Sequence, residues 1–243
     1  MDTILNYKED DLVLEGINDP GIFKAVILAG GPGSGKSYVA QKLGLASMGL
    51  VVVNSDLFFT QMMKRKGLSL KMPDSETDDR EAARMTAKAS TDRRLQNLVN
   101  ARMGVLIDST SGDAKKTVNI FKMLKKSGYD VKIVFIQTSL ETAMSRNKKR
   151  DRSLPDKVLT ASWEQAQKVK NTLKRLGGTR DYHEIQNDFD GKVDTSIAGK
   201  ITVWSKKHNQ TALDWIAAVK RGMDSVKKED INNRIKQFSE FRL

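Results

Sequence analysis

The chain has 243 residues, no cysteine, 42 Lys and Arg against 30 Asp and Glu, and a formal charge of +12. That length holds one α/β domain of ordinary size with appendages; the missing cysteines exclude disulfides and thiolate zinc sites, and no stretch reaches the roughly 20 apolar residues of a membrane-spanning helix. The acidic segment 1–11 has no signal-like apolar run, so a cytoplasmic location and no membrane partner are expected, while the basic balance, with a pI of about 9.7, favours polyanions, nucleic acid first and DNA ahead of RNA.

Residues 1–22 read as an N-terminal extension that covers a sheet edge, ending in the turn signal Asn18-Asp19-Pro20-Gly21. The first strand is expected at 23–29, and Gly30-Gly31-Pro32-Gly33-Ser34-Gly35-Lys36-Ser37 follows it directly. This is the spacing Gly, four residues, Gly-Lys-Ser, a phosphate cradle. Glycines let successive N–H groups turn inward around phosphate oxygens, Lys36 adds a fixed positive charge, and Ser37 offers a hydroxyl to Mg²⁺. The helix that begins near Lys36 adds its positive end. Gly31, Gly33, Ser34, Gly35, Lys36, Ser37 and Tyr38 are therefore the expected contacts of ATP or GTP.

Leu50 to Val53 form a second buried strand ending at Asn54-Ser55-Asp56. Asp56 lies beyond the carboxyl end of a strand expected near the first, the edge where open α/β sheets bind ligands; it also suits the N-cap of a helix over 57–66. A loop over 67–79 leads to a long helix over 80–102 with a thin apolar stripe. Gly104 to Asp108 are a third strand with an acid again at its carboxyl end, which suits a group that organises Mg²⁺ or touches the acceptor. A helix over 114–127 and a strand over 131–136 complete an alternation that implies parallel strands and helices on both faces.

Segment 141–152 is the most basic, with Arg146, Lys148, Lys149, Arg150 and Arg152. An arginine after the fourth strand can swing over bound phosphates and pair bidentately with their oxygens. Pro155 opens a helix that Gly177-Gly178 should stop; 183–187 read as the fifth strand and 200–204 as a further one. Asp188 to Lys192 read as a polar turn, a short amphipathic helix around Trp215 follows, and the lysine-rich end beyond Met223 reads as a tail. The expected division is 1–22, a phosphate-loop domain over 23–205 with a basic lid at 141–155, and 206–243.

The loop at 30–37, Asn54-Ser55-Asp56, Gly-Val-Leu-Ile-Asp-Ser-Thr at 104–110 and Arg-Asn-Lys-Lys-Arg at 146–150 ahead of Leu154-Pro155-Asp156 resemble the kinase domain of bacteriophage-type polynucleotide kinases, within the P-loop kinases that include the zeta toxins. The resemblance implies a three-layer, nucleoside-kinase-like P-loop fold with a parallel five-stranded sheet flanked by helices. It also implies a phosphotransferase using ATP and Mg²⁺. In that pattern Asp56 is the general base, Asp108 a helper that contacts the acceptor, Arg150 the lid residue on the transferring phosphate and Arg146 its neighbour. Asp108 and Thr110 then fall on the acceptor side, and Ser37 and Asp108 at the metal. The chain departs from the pattern at Phe59, where the family has an acceptor-phosphate arginine, and at Ser55, where it has Arg; the Phe59 ring can stack on a base, or Phe58 and Phe59 can belong to the core. The acceptors this leaves are a 5′ hydroxyl end, a hydroxymethyl group on a modified pyrimidine of DNA, or a nucleotide. A nucleotide sugar, as for a zeta-toxin-like kinase, or an ATPase without a phosphorylated acceptor stand as alternatives.

Overall fold

The computed structural model describes residues 19–71, 73–108, 113–150, 153–188 and 195–224. Five parallel strands run β1 (Lys24–Ala29), β2 (Val51–Val53), β3 (Val105–Asp108), β4 (Asp130–Gln137) and β5 (Tyr182–Gln186), side by side in the order β2-β3-β1-β4-β5. The helices are α1 (Lys36–Lys42), α2 (Ser55–Arg65), α3 (Thr77–Asn100), α4 (Ala114–Lys126), α5 (Leu140–Lys148), α6 (Asp156–Asp181), α7 (Thr195–Ser205) and α8 (Gln210–Asp224). This is the flanked five-stranded sheet that the alternation predicts. β2 pairs with β3 and not with β1, because the chain skips one position before returning, so Asp108 and not Asp56 lies beside the first strand, opposite Leu28.

Alternate residues of β1 face two cores. Ala25, Ile27 and Ala29 pack under α3, α4, α6 and α8 through Leu95, Val99, Phe121, Leu124, Val169, Leu173, Ala212 and Ile216. Val26 and Leu28 pack under α1 and α7 through Val39, Ala40 and Ile201. The last helix is thus built into the same core as the P-loop strand. In α3 the buried residues Ala83, Ala87, Thr91, Leu95 and Val99 recur every fourth position; of the stripe expected from Ala82, Met85, Ala89, Leu95, Leu98 and Val99, only Leu95 and Val99 are buried, and Ala82, Met85 and Ala89 face outward.

Two expectations change. The strand expected over 200–204 is the second half of α7: Ile197, Ile201 and Trp204 fall at helical spacing and pack on one core, which outweighs the β-branched run Ile201-Thr202-Val203. Its carboxyl end is held by Lys24, a buried lysine inside β1 whose Nζ donates to the carbonyls of Trp204 at 2.6 Å and Ser205 at 2.7 Å. Burial pulls the Lys24 amine down to about 8, and Asp130 and Asp19 oppose that pull. The helix expected to stop at Gly177-Gly178 does break there, with Gly178 at φ 58°, yet one more turn runs on to Asp181. Residues 1–18 of the cover expected over 1–22, and all but Asp224 of the tail expected beyond Met223, lie outside the described residues.

Candidate functional site

The loop after β1 is shaped by its neighbours as much as by its glycines. Gly33 has φ 75°, and a Cβ there would meet the Ala143 carbonyl oxygen of α5 at 2.6 Å. Gly35 caps α1 in the left-handed conformation at φ 82°, and a Cβ would meet Asn187 Nδ2 at 2.4 Å. Asn187 Nδ2 in turn donates to the Ser34 carbonyl at 2.7 Å, and Arg146 donates to the Asn187 carbonyl at 2.7 Å. Trp163 lies against Gly31 and donates from Nε1 to the Thr138 carbonyl at 2.9 Å. The cradle is therefore clamped by the ends of β4 and β5 and by α5 and α6. Gly33→Ala is expected to weaken nucleotide binding about tenfold, because strain of ~1–3 kcal/mol and a backbone contact both act on the loop; calorimetric titration with ATP and with ADP reads it.

Lys36 Nζ donates to the carbonyls of Gly30 at 3.0 Å and Gly31 at 3.2 Å, arching over the loop it belongs to. Burial lowers its pKa, and Asp108 and Asp56 oppose this while Arg150 reinforces it. Asp108 is pushed the other way: burial raises its pKa, Lys36 opposes, Asp56 adds to the rise and Arg150 opposes. Lys36 opens the helix after β1, Asp56 follows β2 and Asp108 ends β3, so the parallel order of the strands brings these three to the carboxyl edge of the sheet, with Arg150 close enough to act on Lys36 and Asp108. Asp108 Oδ2 accepts from Asn54 Nδ2 at 2.9 Å, while its buried Oδ1 has no hydrogen-bond partner among the described residues. A desolvated carboxylate oxygen is costly to leave unpaired, so its position suits a cation or a polar ligand group.

Asn54 also settles the competing role for Asp56. The Asn54 side chain is the N-cap of α2, accepting from the Asp56 amide at 2.7 Å, so Asp56 sits in the first turn with an exposed side chain that the cap does not use. Arg150 is exposed just past α5, and the loop that bears it is pinned at both sides by buried Asn147. That side chain donates to the Leu154 carbonyl at 2.7 Å and accepts from the Leu154 amide at 2.9 Å. Ser37 and Tyr38 are exposed on the first turn of α1, with Lys42 Nζ 5.5 Å from the Tyr38 ring centre.

Phe59 corrects the expectation of a stacking ring. It is 4 % exposed and packs with Met63, Ala83 and Ala87 in a small core between α2 and α3, under the Arg84 guanidinium at 4.9 Å. The ring was legible as apolar and one turn beyond Asp56, but its burial depends on the packing of the next helix, α3, which the spacing within α2 does not reveal. Thr110 and Arg152 lie outside the described residues. Sequence reasoning missed Asn54, Asn147, Trp163 and Asn187. Two of them carried a local signal: Asn54, at a strand end two residues before an acid, and Asn147, inside the Arg-Asn-Lys-Lys-Arg segment. Asp188, at the polar turn, accepts from Thr138 at 3.0 Å and from the Ser139 amide at 2.5 Å, so its carboxylate is spent on fastening β5 to the start of α5.

The family model of the AAA domain matches residues 26–173, more than half of the chain, from β1 into α6. No curated protein matches the chain. Among solved structures, a candidate kinase of Chloroflexus aurantiacus is 14 % identical with a TM-score of 0.53, the match covering 74 % of this chain and 97 % of that one. The AvrRxo1-ORF1:-ORF2 complex with ATP is 17 % identical with a TM-score of 0.55 over 70 % of this chain, which spans 56 % of the matched chain's length. The PezAT toxin–antitoxin system of Streptococcus pneumoniae is 15 % identical with a TM-score of 0.50, over 82 % of this chain and 85 % of that one. At these identities the likeness is one of fold. With its phosphate loop leaving the central strand of a parallel sheet, the chain has a P-loop kinase-like fold and belongs to the AAA domain family.

Proposed function

We propose that this chain is a Mg²⁺-dependent kinase that moves the γ-phosphoryl group of ATP, or of GTP, onto a hydroxyl of a nucleic acid or a nucleotide. The observation that carries the reading is the placement of Lys36, Asp56 and Asp108 at the carboxyl ends of three neighbouring parallel strands, with Arg150 within electrostatic reach, beside a clamped phosphate loop. Loop amides and Lys36 hold the β and γ phosphates. As the acceptor oxygen bonds to the γ-phosphorus, that phosphorus parts from the β,γ-bridging oxygen, ADP leaves, and the hydroxyl proton passes to the Asp56 carboxylate. The Arg150 guanidinium, on a loop stapled by Asn147, meets the equatorial oxygens as charge spreads over them. Arg146 supports the loop through Asn187.

Among the described residues no group of three or more His, Asp or Glu could hold a metal ion. A Mg²⁺ here would rest on Ser37, on Asp108 directly or through water, and on the phosphates, where it would neutralise their charge. The unpartnered Asp108 Oδ1 fits that donor set. Asp108→Asn is expected to raise the Mg²⁺ concentration needed for half-maximal turnover about tenfold. The same change removes a desolvated charge, so the nucleotide-free protein should melt a few degrees higher. A lower melting temperature with unchanged Mg²⁺ dependence would mark Asp108 as structural.

The function is tested by incubating the protein with γ-labelled ATP and Mg²⁺ in the presence of 5′-hydroxyl DNA and RNA, DNA bearing hydroxymethylated pyrimidines, nucleosides, nucleotides and a nucleotide sugar, with mass spectrometry of the labelled product. Label on a nucleic acid or nucleotide supports the reading. Label on the sugar alone, or phosphate release with no labelled acceptor, replaces it with one of the alternatives.

A further inference from the structure

Most carboxylates near the α4 and α6 surface are already committed. Lys116 reaches Asp92 of α3 at 2.7 Å, Lys125 reaches Asp181 at 2.8 Å, and Lys170 reaches Glu184 of β5 at 3.2 Å. Lys116 and Lys125 fix how α4 is turned: one side looks to α3, the other to α6, and Phe121 and Leu124 look into the core. Lys115, Lys122 and Lys126 therefore occupy the outward side, leaning toward α6. From Lys168 to Arg180, α6 has no acid, and Lys168 and Arg175 lie on its outward side toward α4. All five are exposed, and none has an ion pair among the described residues.

We infer that this two-helix face binds the phosphodiester backbone of a nucleic acid, apart from the nucleotide site. Lys115 and Lys126 are eleven positions apart, so at about 1.5 Å per residue the cations run along roughly 16 Å, a track with the length of several phosphates. Among the described residues every exposed large apolar side chain lies elsewhere: Tyr38, Leu57, Met85, Val158, Val203 and Leu213 belong to other helices or to the far end of α6. A surface that enters a lipid interface displays apolar anchors among its cations, and this one displays none. It also offers no aromatic ring for base stacking, so recognition rests on phosphate charge and is indifferent to sequence. Binding on this face needs no phosphoryl transfer, so it stands or falls separately from the proposed reaction.

The test is fluorescence anisotropy of a labelled 20-nucleotide single strand with the full chain across a salt series. The wild-type protein should bind with affinity that falls linearly in log–log form. The variant carrying K122Q, K126Q, K168Q and R175Q should bind at least tenfold more weakly at about 0.1 M salt, with a slope shallower by up to about 3. A control with equal loss of charge elsewhere, K200Q, K206Q, K207Q and K220Q, should stay within about twofold to threefold of wild type. ATP affinity, titrated in parallel, should be the same in all three. The proposal is overturned if wild type shows no salt-dependent binding, if the two fourfold variants weaken equally, or if phosphatidylserine vesicles and not the strand are captured through these residues.

Discussion

Asp56→Asn should leave ATP affinity within about twofold of wild type and lower phosphoryl transfer by about 10²–10⁴-fold, the contribution of a positioned general base. The substitution keeps size and helix-start chemistry, and the cap of α2 is already supplied by Asn54, so the helix stays in place. Binding should be spared because, in the proposed reaction, the loop amides and Lys36 hold the phosphates, beyond a strand two positions away in the sheet. Transfer suffers because an amide cannot take the proton from an incoming hydroxyl. The pH profile separates this from a purely electrostatic role: loss of a base removes the acidic limb of kcat/KM. Wild-type turnover in the variant would reassign the base, and a fall in ATP affinity to match the rate would make Asp56 a binding residue.

Much of the candidate site was legible because it is local. A β strand, four glycines, Lys36 and Ser37 are contiguous, and the strand-end acids Asp56 and Asp108 are marked by the β-branched runs before them. What escaped depends on distance along the chain. Asn187 reaches Ser34 across 153 positions, and no spacing rule connects a lone Asn after a late strand to a loop near the start. Phe59 read as a ligand-facing ring because its partners Ala83 and Ala87 arrive on another helix. Lys24 escaped for the opposite reason: a charge inside a buried strand contradicts local expectation, and only the carboxyl end of α7, about 180 residues later, explains it. The misread strand over 200–204 is the same event seen from its other end. Helical spacing reached back to Ile197, beyond the five residues that suggested a strand.

The largest loss of stability should come from the opposite edge of the sheet. Asp181 ends α6 nearly buried, accepting from Lys125 at 2.8 Å, Lys132 at 2.9 Å and Arg180 at 3.2 Å. Burial alone would raise its pKa, but the three cations outweigh burial and hold it at about 2. Asp181→Ala leaves the Lys132 amine, itself buried within β4, without its closest counter-charge; Asp130 remains only at 3.8 Å. Breaking a buried pair from one side costs about 3–5 kcal/mol, which in a chain of this length lowers Tm by roughly 6–20 °C. Exchanging both partners, Asp181→Leu with Lys132→Met, should recover most of that loss, because an apolar pair of similar volume needs no desolvated charge. The pH dependence has a definite sign. The folded carboxyl titrates below its ordinary value of 3.8, so its contribution is complete above about pH 4 and is lost as pH falls toward 2; the Ala variant should melt less steeply with acid over that window. Calorimetry at pH 2–7 checks both claims, and nucleotide turnover below the melting range should be unchanged, since the cluster lies at the amino edge of the strands and the phosphate loop at the carboxyl edge. An Ala variant as stable as wild type would mean that Asp130 takes over both lysines and that the hub at Asp181 is dispensable.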